Sequence, residues 1–142
     1  MHPVVDTPPV QLAVRRSPWS VALGLCAAAL AGVGANAVIA LAARIAGVPG
    51  NFQPLNPPSY TFLTVFGVLL GALGWAVTRA VSKNPRKLLS WLVPVVVLAS
   101  CIPDLFLLEQ GSAAGVLAAV LMHVAPAVIA VPVYKRLLPL PS

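Results

Sequence analysis

An all-α fold, specifically an integral membrane four-helix bundle with both termini cytoplasmic, is what this sequence predicts, on three observations. The 142 residues are 59% hydrophobic and 8% charged, whereas a soluble domain is roughly 45–50% apolar and about 25% charged. A soluble fold of this size leaves much of its area in water and could not hide so much apolar surface. The apolar residues also fall into four runs, each close to the ~20 residues a helix needs to cross roughly 30 Å of hydrocarbon. Finally, Lys and Arg lie almost wholly to one side of those runs. Helices are expected because an unpaired strand in lipid leaves its backbone groups without partners. The runs lack the polar alternation of an outer-membrane barrel strand.

The elements follow in order. Residues 1–17 read as a disordered cytoplasmic tail with Pro3, Pro8 and Pro9 and the pair Arg15-Arg16. The apolar run after it is too long for a cleavable signal peptide. The transmembrane domain spans 18–136, with helices at about 19–43, 60–81, 88–108 and 113–134. Pro18 suits the first turn of the first helix, where its missing N–H costs nothing. Gly47, Pro49 and Gly50 close that helix. The connection from Val48 to Ser59 is the longest and holds Pro49, Pro54, Pro57 and Pro58. Asn84-Pro85 separates the second and third helices, and Gln110-Gly111-Ser112 turns the chain into the fourth. Residues 137–142 form a short cytoplasmic tail, and no internal repeat is evident.

Orientation follows from the basic residues. Arg15, Arg16, Arg79, Lys83, Arg86, Lys87, Lys135 and Arg136 fall on one side and Arg44 on the other. The positive side is cytoplasmic. The net charge of +6 therefore reads as an orientation signal rather than a nucleic-acid surface. Trp19, Trp91 and Tyr134 are expected near the inner interface and Tyr60 near the outer one.

At about 1.5 Å of rise per residue, positions on antiparallel helices can be compared by depth. Asn36, Asp104 and Thr64 come out about 26, 24 and 27 Å above the inner end. His123 and Ser100 come out about 16 and 18 Å up, near mid-membrane. Ionisable groups at such depth are functional candidates, because they are costly in lipid. For His123 the functional alternatives are a proton relay, a ligand contact or a weak metal contact. The plainer alternative is a buried imidazole bonded across helices to Ser100 or to a backbone carbonyl, and it is favoured because no partner ligands lie nearby in sequence. Asp104 reads as a helix-end or pocket-mouth carboxylate within reach of water. It lies about two turns above His123, reachable through water. Asn36 reads as interhelical glue. Arg44 and Glu109 read as solvated loop charges, able to pair with each other. Together Asn36, Thr64, Ser100, Asp104 and His123 form a candidate outward-facing polar pocket.

Small residues and prolines shape the packing. Gly67 and Gly71 form GxxxG, followed by Gly74; Gly111 and Gly115 repeat the spacing, as do Ala28, Gly32 and Asn36. Such rows let helices approach closely, either inside the bundle or, for Gly67, Gly71 and Gly74, in a homo-oligomer. Pro94, Pro103, Pro126 and Pro132 should kink or end helices, freeing carbonyls that neighbours or water must satisfy. Cys26 and Cys101 stand alone in apolar runs with no CxxC, and act as small apolar side chains. Their depths, about 10 and 20 Å, do not suit the 4.4–6.8 Å or so that a disulfide allows between Cα atoms.

Several chemistries lack their motifs. There is no HExxH and no paired His and carboxylate motif, no GxxxxGK[ST] and no GxSxG. Catalytic residues, a bound metal and a cofactor are therefore not expected. Four-helix multidrug exporters carry an embedded glutamate in the first helix, where this chain offers Asn36.

The last helix reads LMHVAPAVIAVPVYKR from Leu121 to Arg136, after SCIPDLFLLEQGSAAGVLAAV from Ser100 to Val120. With a first-helix Asn, a Pro-containing outer loop and a basic inner loop, this resembles a family of uncharacterised four-helix bacterial membrane proteins. That family is a domain of unknown function of actinobacterial type, with an LMH…VP last helix. The resemblance runs from about Pro18 to Arg136 and rests on short motifs, of which His123 and Pro132 are the distinctive residues. It implies the four-helix bundle and no activity.

The expected role is that of a non-enzymatic accessory, interaction or small-molecule-sensing unit in the cell membrane, with the lipid bilayer as its first partner and no nucleic acid. The alternative is a small oligomeric transporter or channel subunit, which needs the glycine row as a subunit interface. An intramembrane enzyme using His123 and Asp104 lacks a nucleophile or metal set.

Overall fold

The structure, a computed structural model, describes residues 17–141, with the side chains of residues 109–111 outside that description. The tail expected over 1–17 thus lies outside the described residues save for Ser17, as does Ser142. Among the described residues the fold is all helical: α1 (Pro18–Ile45), a 3-10 turn (Gln53–Leu55), α2 (Pro57–Val81), α3 (Pro85–Ser100), α4 (Ile102–Leu105) and α5 (Leu108–Leu137). Four stretches are long and apolar enough to cross a membrane: Pro18–Ile45, Pro57–Val81, Pro85–Leu105 and Ser112–Leu137. Their mean hydropathies are 2.0, 1.8, 2.0 and 2.3.

The ends obey local chemistry. Helix α1 stops in a Schellman motif: Gly47 takes φ +89°, its N–H bonds Arg44 O at 3.0 Å and the Val48 N–H bonds Ala43 O at 3.1 Å. Val48 is buried beyond it, as the motif's apolar contact requires. Helix α2 starts at Pro57, three residues before the expected start. Pro57 and Pro58 belong to its first turn, where no N–H is needed, rather than to the loop. Helix α3 likewise starts at Pro85, with the Asn84 side chain accepting from Lys87 N at 3.2 Å. Within α5, Ser112 has φ 67°, ψ 161°, so Leu108–Gly111 is a separate turn, and the Ser112 hydroxyl accepts from Gly115 N.

The third span, expected as one helix over 88–108, is broken beside Pro103, one of the four prolines expected to kink or end a helix. Cys101 ends α3, and α4 begins with Pro103 in its first turn. The apolar character runs straight through the break, so hydropathy did not reveal it. By contrast, α5 continues through both Pro126 and Pro132.

Helix α1 is the central column, packing along α5 and α2, with α3 leaning more loosely on the outside. Its buried row is Ala28, Gly32, Asn36, Ala40 and Ala43, small residues at nearly four-residue spacing that admit close neighbours. Two apolar clusters lie at the two ends. One joins Ala28, Val68, Ala72, Trp75, Leu89, Ala130 and Tyr134. The other joins Ala40, Ala43, Val48, Phe52, Leu55, Ala118 and Met122. Large apolar side chains cover the outward faces, among them Phe62 and Phe66, stacked with centroids 6.0 Å apart. That surface fits the acyl chains of a bilayer. Cys26 and Cys101 are both unbonded thiols.

Two expectations are corrected here. Tyr134 is not an interfacial aromatic: it is 4% exposed, lies 5.9 Å from Trp75 between ring centroids and donates its hydroxyl to Val68 O at 2.6 Å. Arg44 does not serve as a solvated loop charge. Its guanidinium donates to Val48 O, Pro49 O and Asn56 Oδ1, stapling the loop to the end of α1. The Glu109 side chain, its expected partner, lies outside the described residues.

Candidate functional site

Between the two apolar clusters runs a polar layer. Asn36 on α1 is 2% exposed, and its Nδ2 donates to Thr64 Oγ1 on α2 at 2.8 Å and to Met122 O on α5 at 3.2 Å. Met122 O is available because Pro126, four residues on, has no N–H to close the helical bond. The acceptor-only carbonyl also fixes the amide orientation, since turning Asn36 over would set Oδ1 against it. Gly32 makes the approach possible: a Cβ there would stand 2.9 Å from the Thr64 methyl and 3.4 Å from Pro126 Cβ. Asn36 Oδ1 stays without a partner among the described residues.

One residue along from Met122, His123 meets Asp104. The break at Cys101 lets α4 present Asp104 to α5, and its Oδ2 lies 3.2 Å from His123 Nδ1. The same Nδ1 is 3.0 Å from Ala119 O, one turn back in its own helix. A single Nδ1 proton aims at one of the two, and the Ala119 carbonyl is the aligned acceptor. Oδ2 therefore makes an electrostatic contact with the imidazole while lacking an aligned hydrogen bond. The Asp104 side chain is 10% exposed and that of His123 is 31% exposed. A buried carboxylate thus stands against a half-buried imidazole. The contact is an ion pair when the imidazole is protonated and a charge–dipole contact when it is neutral.

The five sequence candidates therefore divide. Asn36 and Thr64 form one bonded unit, and Asp104 and His123 another. Ser100 joins neither, because its hydroxyl donates to Val97 O at 2.7 Å within α3. The partner expected for His123 by depth is thus replaced by Asp104, in direct contact rather than through water. Depth arithmetic assumed an unbroken third helix, and the break at Cys101 cancels the expected two-turn offset. Two cavities open along the α3–α5 side, and neither includes Asn36, Thr64, Asp104 or His123. No group of three His, Cys, Asp or Glu among the described residues is placed to hold a metal ion.

The glycine row divides as well. A Cβ at Gly71 would meet Tyr134 Oη at 2.9 Å, whereas Gly67 and Gly74 face open space. Sequence reasoning missed the Trp75–Tyr134 pair and the Met122 carbonyl. Counting four residues back from Pro126 would have found the latter.

A family model described as a family of unknown function (DUF6069) matches residues 15–139. No curated protein and no solved structure matches the chain. With the match running over nearly all of the sequence, and over all four apolar spans, the chain belongs to this family of unknown function, DUF6069.

Proposed function

We propose that this chain is a multi-pass protein of the cell membrane, with both termini cytoplasmic, that carries out no chemistry of its own. It acts as a sensing or interaction unit whose outer end responds to protonation through Asp104 and His123. One observation carries the reading: a largely buried carboxylate, 10% exposed, lies 3.2 Å from a more accessible imidazole. The strength of this contact depends on the charge the imidazole carries, so a change in protonation there alters what holds α4 against α5. The elements it biases are α4 and the connection into α5, which hold Asp104 against His123.

The test is amide hydrogen exchange of the protein in lipid nanodiscs at about pH 8 and about pH 5. Protection over residues 101–112 is expected to change between the two conditions in the wild type. That change should vanish in His123→Gln and in Asp104→Asn while the circular dichroism of the bundle is retained. Protection that is the same at both pH values, or a response that survives in His123→Gln, overturns the reading. Proton or solute flux in proteoliposomes of the wild type, lost in both variants, would replace it with the transporter alternative.

A further inference from the structure

At the basic end of the bundle, far from Asp104 and His123, a cavity of about 540 Å³ opens between the ends of α2 and α5 and the start of α3. That volume lies within the usual range of ligand pockets, about 300–1,000 Å³. Arg86 and Lys135 line it, and Leu89, Val93, Pro94 and Val131 give it an apolar interior. The segment after α5 forms part of its wall: Trp75 Nε1 donates to Leu138 O at 3.0 Å and Arg86 Nε donates to Pro141 O at 3.1 Å. A second cavity, of about 350 Å³, continues along the α3–α5 crevice and shares Val93, Pro94 and Val131 with the first. Its further lining, including Val97, Ala127 and Val128, is wholly apolar. The crevice stays open because α3 packs loosely: 11% of its span is buried, against 22–28% for the other three.

Charge and shape here point to the same occupant. Asp104, the acid whose side chain is described, belongs to the opposite end of the bundle, so two cations face this cavity with no described carboxylate beside them. A basic mouth at the membrane surface, leading into an apolar crevice that runs toward the membrane middle, matches a molecule with an anionic head and a hydrocarbon tail. We propose that the α3–α5 crevice is a binding site for an anionic phospholipid, whose phosphate is held by Arg86 and Lys135 and one acyl chain of which lies along Val93, Val97, Ala127 and Val128. Basic recesses between membrane helices bind anionic headgroups on this physical basis. The site is independent of the proton-responsive pair, and neither proposal needs the other.

The test counts bound lipid by native mass spectrometry on the full-length protein in detergent. The titrants are phosphatidylglycerol, phosphatidylcholine with the same acyl chains, and glycerol 3-phosphate as a headgroup without a tail. Phosphatidylglycerol is expected to bind one per chain and more tightly than phosphatidylcholine, and glycerol 3-phosphate should not displace it. Arg86→Gln and Lys135→Gln should each weaken phosphatidylglycerol binding about five-fold, and together about thirty-fold. The paired change Arg79→Gln and Lys83→Gln removes the same charge outside the cavity and should cost less than about two-fold. Ala127→Phe, which fills the crevice, should weaken the lipid without altering the charge. Equal binding of the two lipids, equal losses in the two double variants, or displacement by glycerol 3-phosphate overturns the proposal. If the cavity double variant does not fold, the single variants and Ala127→Phe decide by the same criteria.

Discussion

Asn36 Nδ2 donates to Met122 O across the α1–α5 interface at 3.2 Å, and the carbonyl it meets is the one Pro126 leaves without a helical donor. The side chain of one helix thus supplies the hydrogen bond that the backbone of another lost. A single amide satisfies this acceptor and Thr64 Oγ1 together, which ties three spans at one level.

The first prediction is a double-mutant cycle. Asn36→Ala should lower thermal stability in detergent by about 1 kcal/mol, the scale of interhelical hydrogen bonds in membranes. Pro126→Ala restores an N–H four residues after Met122, so in that background the cost of Asn36→Ala should shrink. Melting temperatures of the four proteins measure the coupling. Equal costs in the two backgrounds would mean that the carbonyl is not what Asn36 serves.

How far the sequence disclosed this architecture depended on which forces act locally. The four spans were legible because hydropathy is a sum over many residues. The starts of α2 and α3 fell three residues earlier than expected, because Pro57 and Pro85 serve as first-turn residues rather than as breakers. The break at Cys101 was legible only as a kink or an end due at Pro103, since Ile102 continues the apolar run and a proline looks the same inside a kinked helix as in a new one. That break decides the candidate site: it sets Asp104, rather than Ser100, against His123. Tyr134 was misplaced for a related reason. Its composition-level role as an interfacial aromatic lost to a specific recess left by Gly71 and Trp75.

The second prediction concerns that recess. A methyl group added at Gly71 would stand 2.9 Å from the Tyr134 hydroxyl, and the ring is pinned by its bond to Val68 O. Gly71→Ala should therefore destabilise by about 1–3 kcal/mol, the cost of overpacking. Tyr134→Phe removes the clashing oxygen, so Gly71→Ala should cost less in that background. Gly67→Ala and Gly74→Ala face open space and should stay within about 0.5 kcal/mol of wild type. A loss at Gly67 or Gly74 equal to that at Gly71 would show instead that the whole row is packed, as in an oligomer.

The third prediction is orientation. Eight of nine Lys and Arg residues mark one side of the spans, and that side should be cytoplasmic. A phosphatase or fluorescent reporter fused after Ser142 should report the cytoplasm. A cysteine at Asn51, in the loop after α1, should react with an impermeant maleimide in intact cells. Labelling of a cysteine at position 142 from outside, with none at position 51, reverses the topology.

The fourth prediction separates the charge of Arg44 from its geometry. It is the lone basic residue on its side of the spans, and its guanidinium contacts Val48 O, Pro49 O and Asn56 Oδ1 at once. The Asn56 amide is held in turn, donating to Gln53 Oε1 at 3.1 Å. A planar fork reaches several acceptors that a lysine ammonium, a single point of charge, does not reach together. Arg44→Gln should loosen residues 46–56 and cost about 1–2 kcal/mol, since part of the site is exposed. Arg44→Lys keeps the charge, yet should lose most of the same protection in hydrogen exchange and be cut faster in this loop by added protease. Because the charge is engaged by the loop rather than left to compete as an orientation signal, neither variant should alter the topology. Protection in Arg44→Lys equal to wild type would assign the effect to charge alone, and the stapling role would fall.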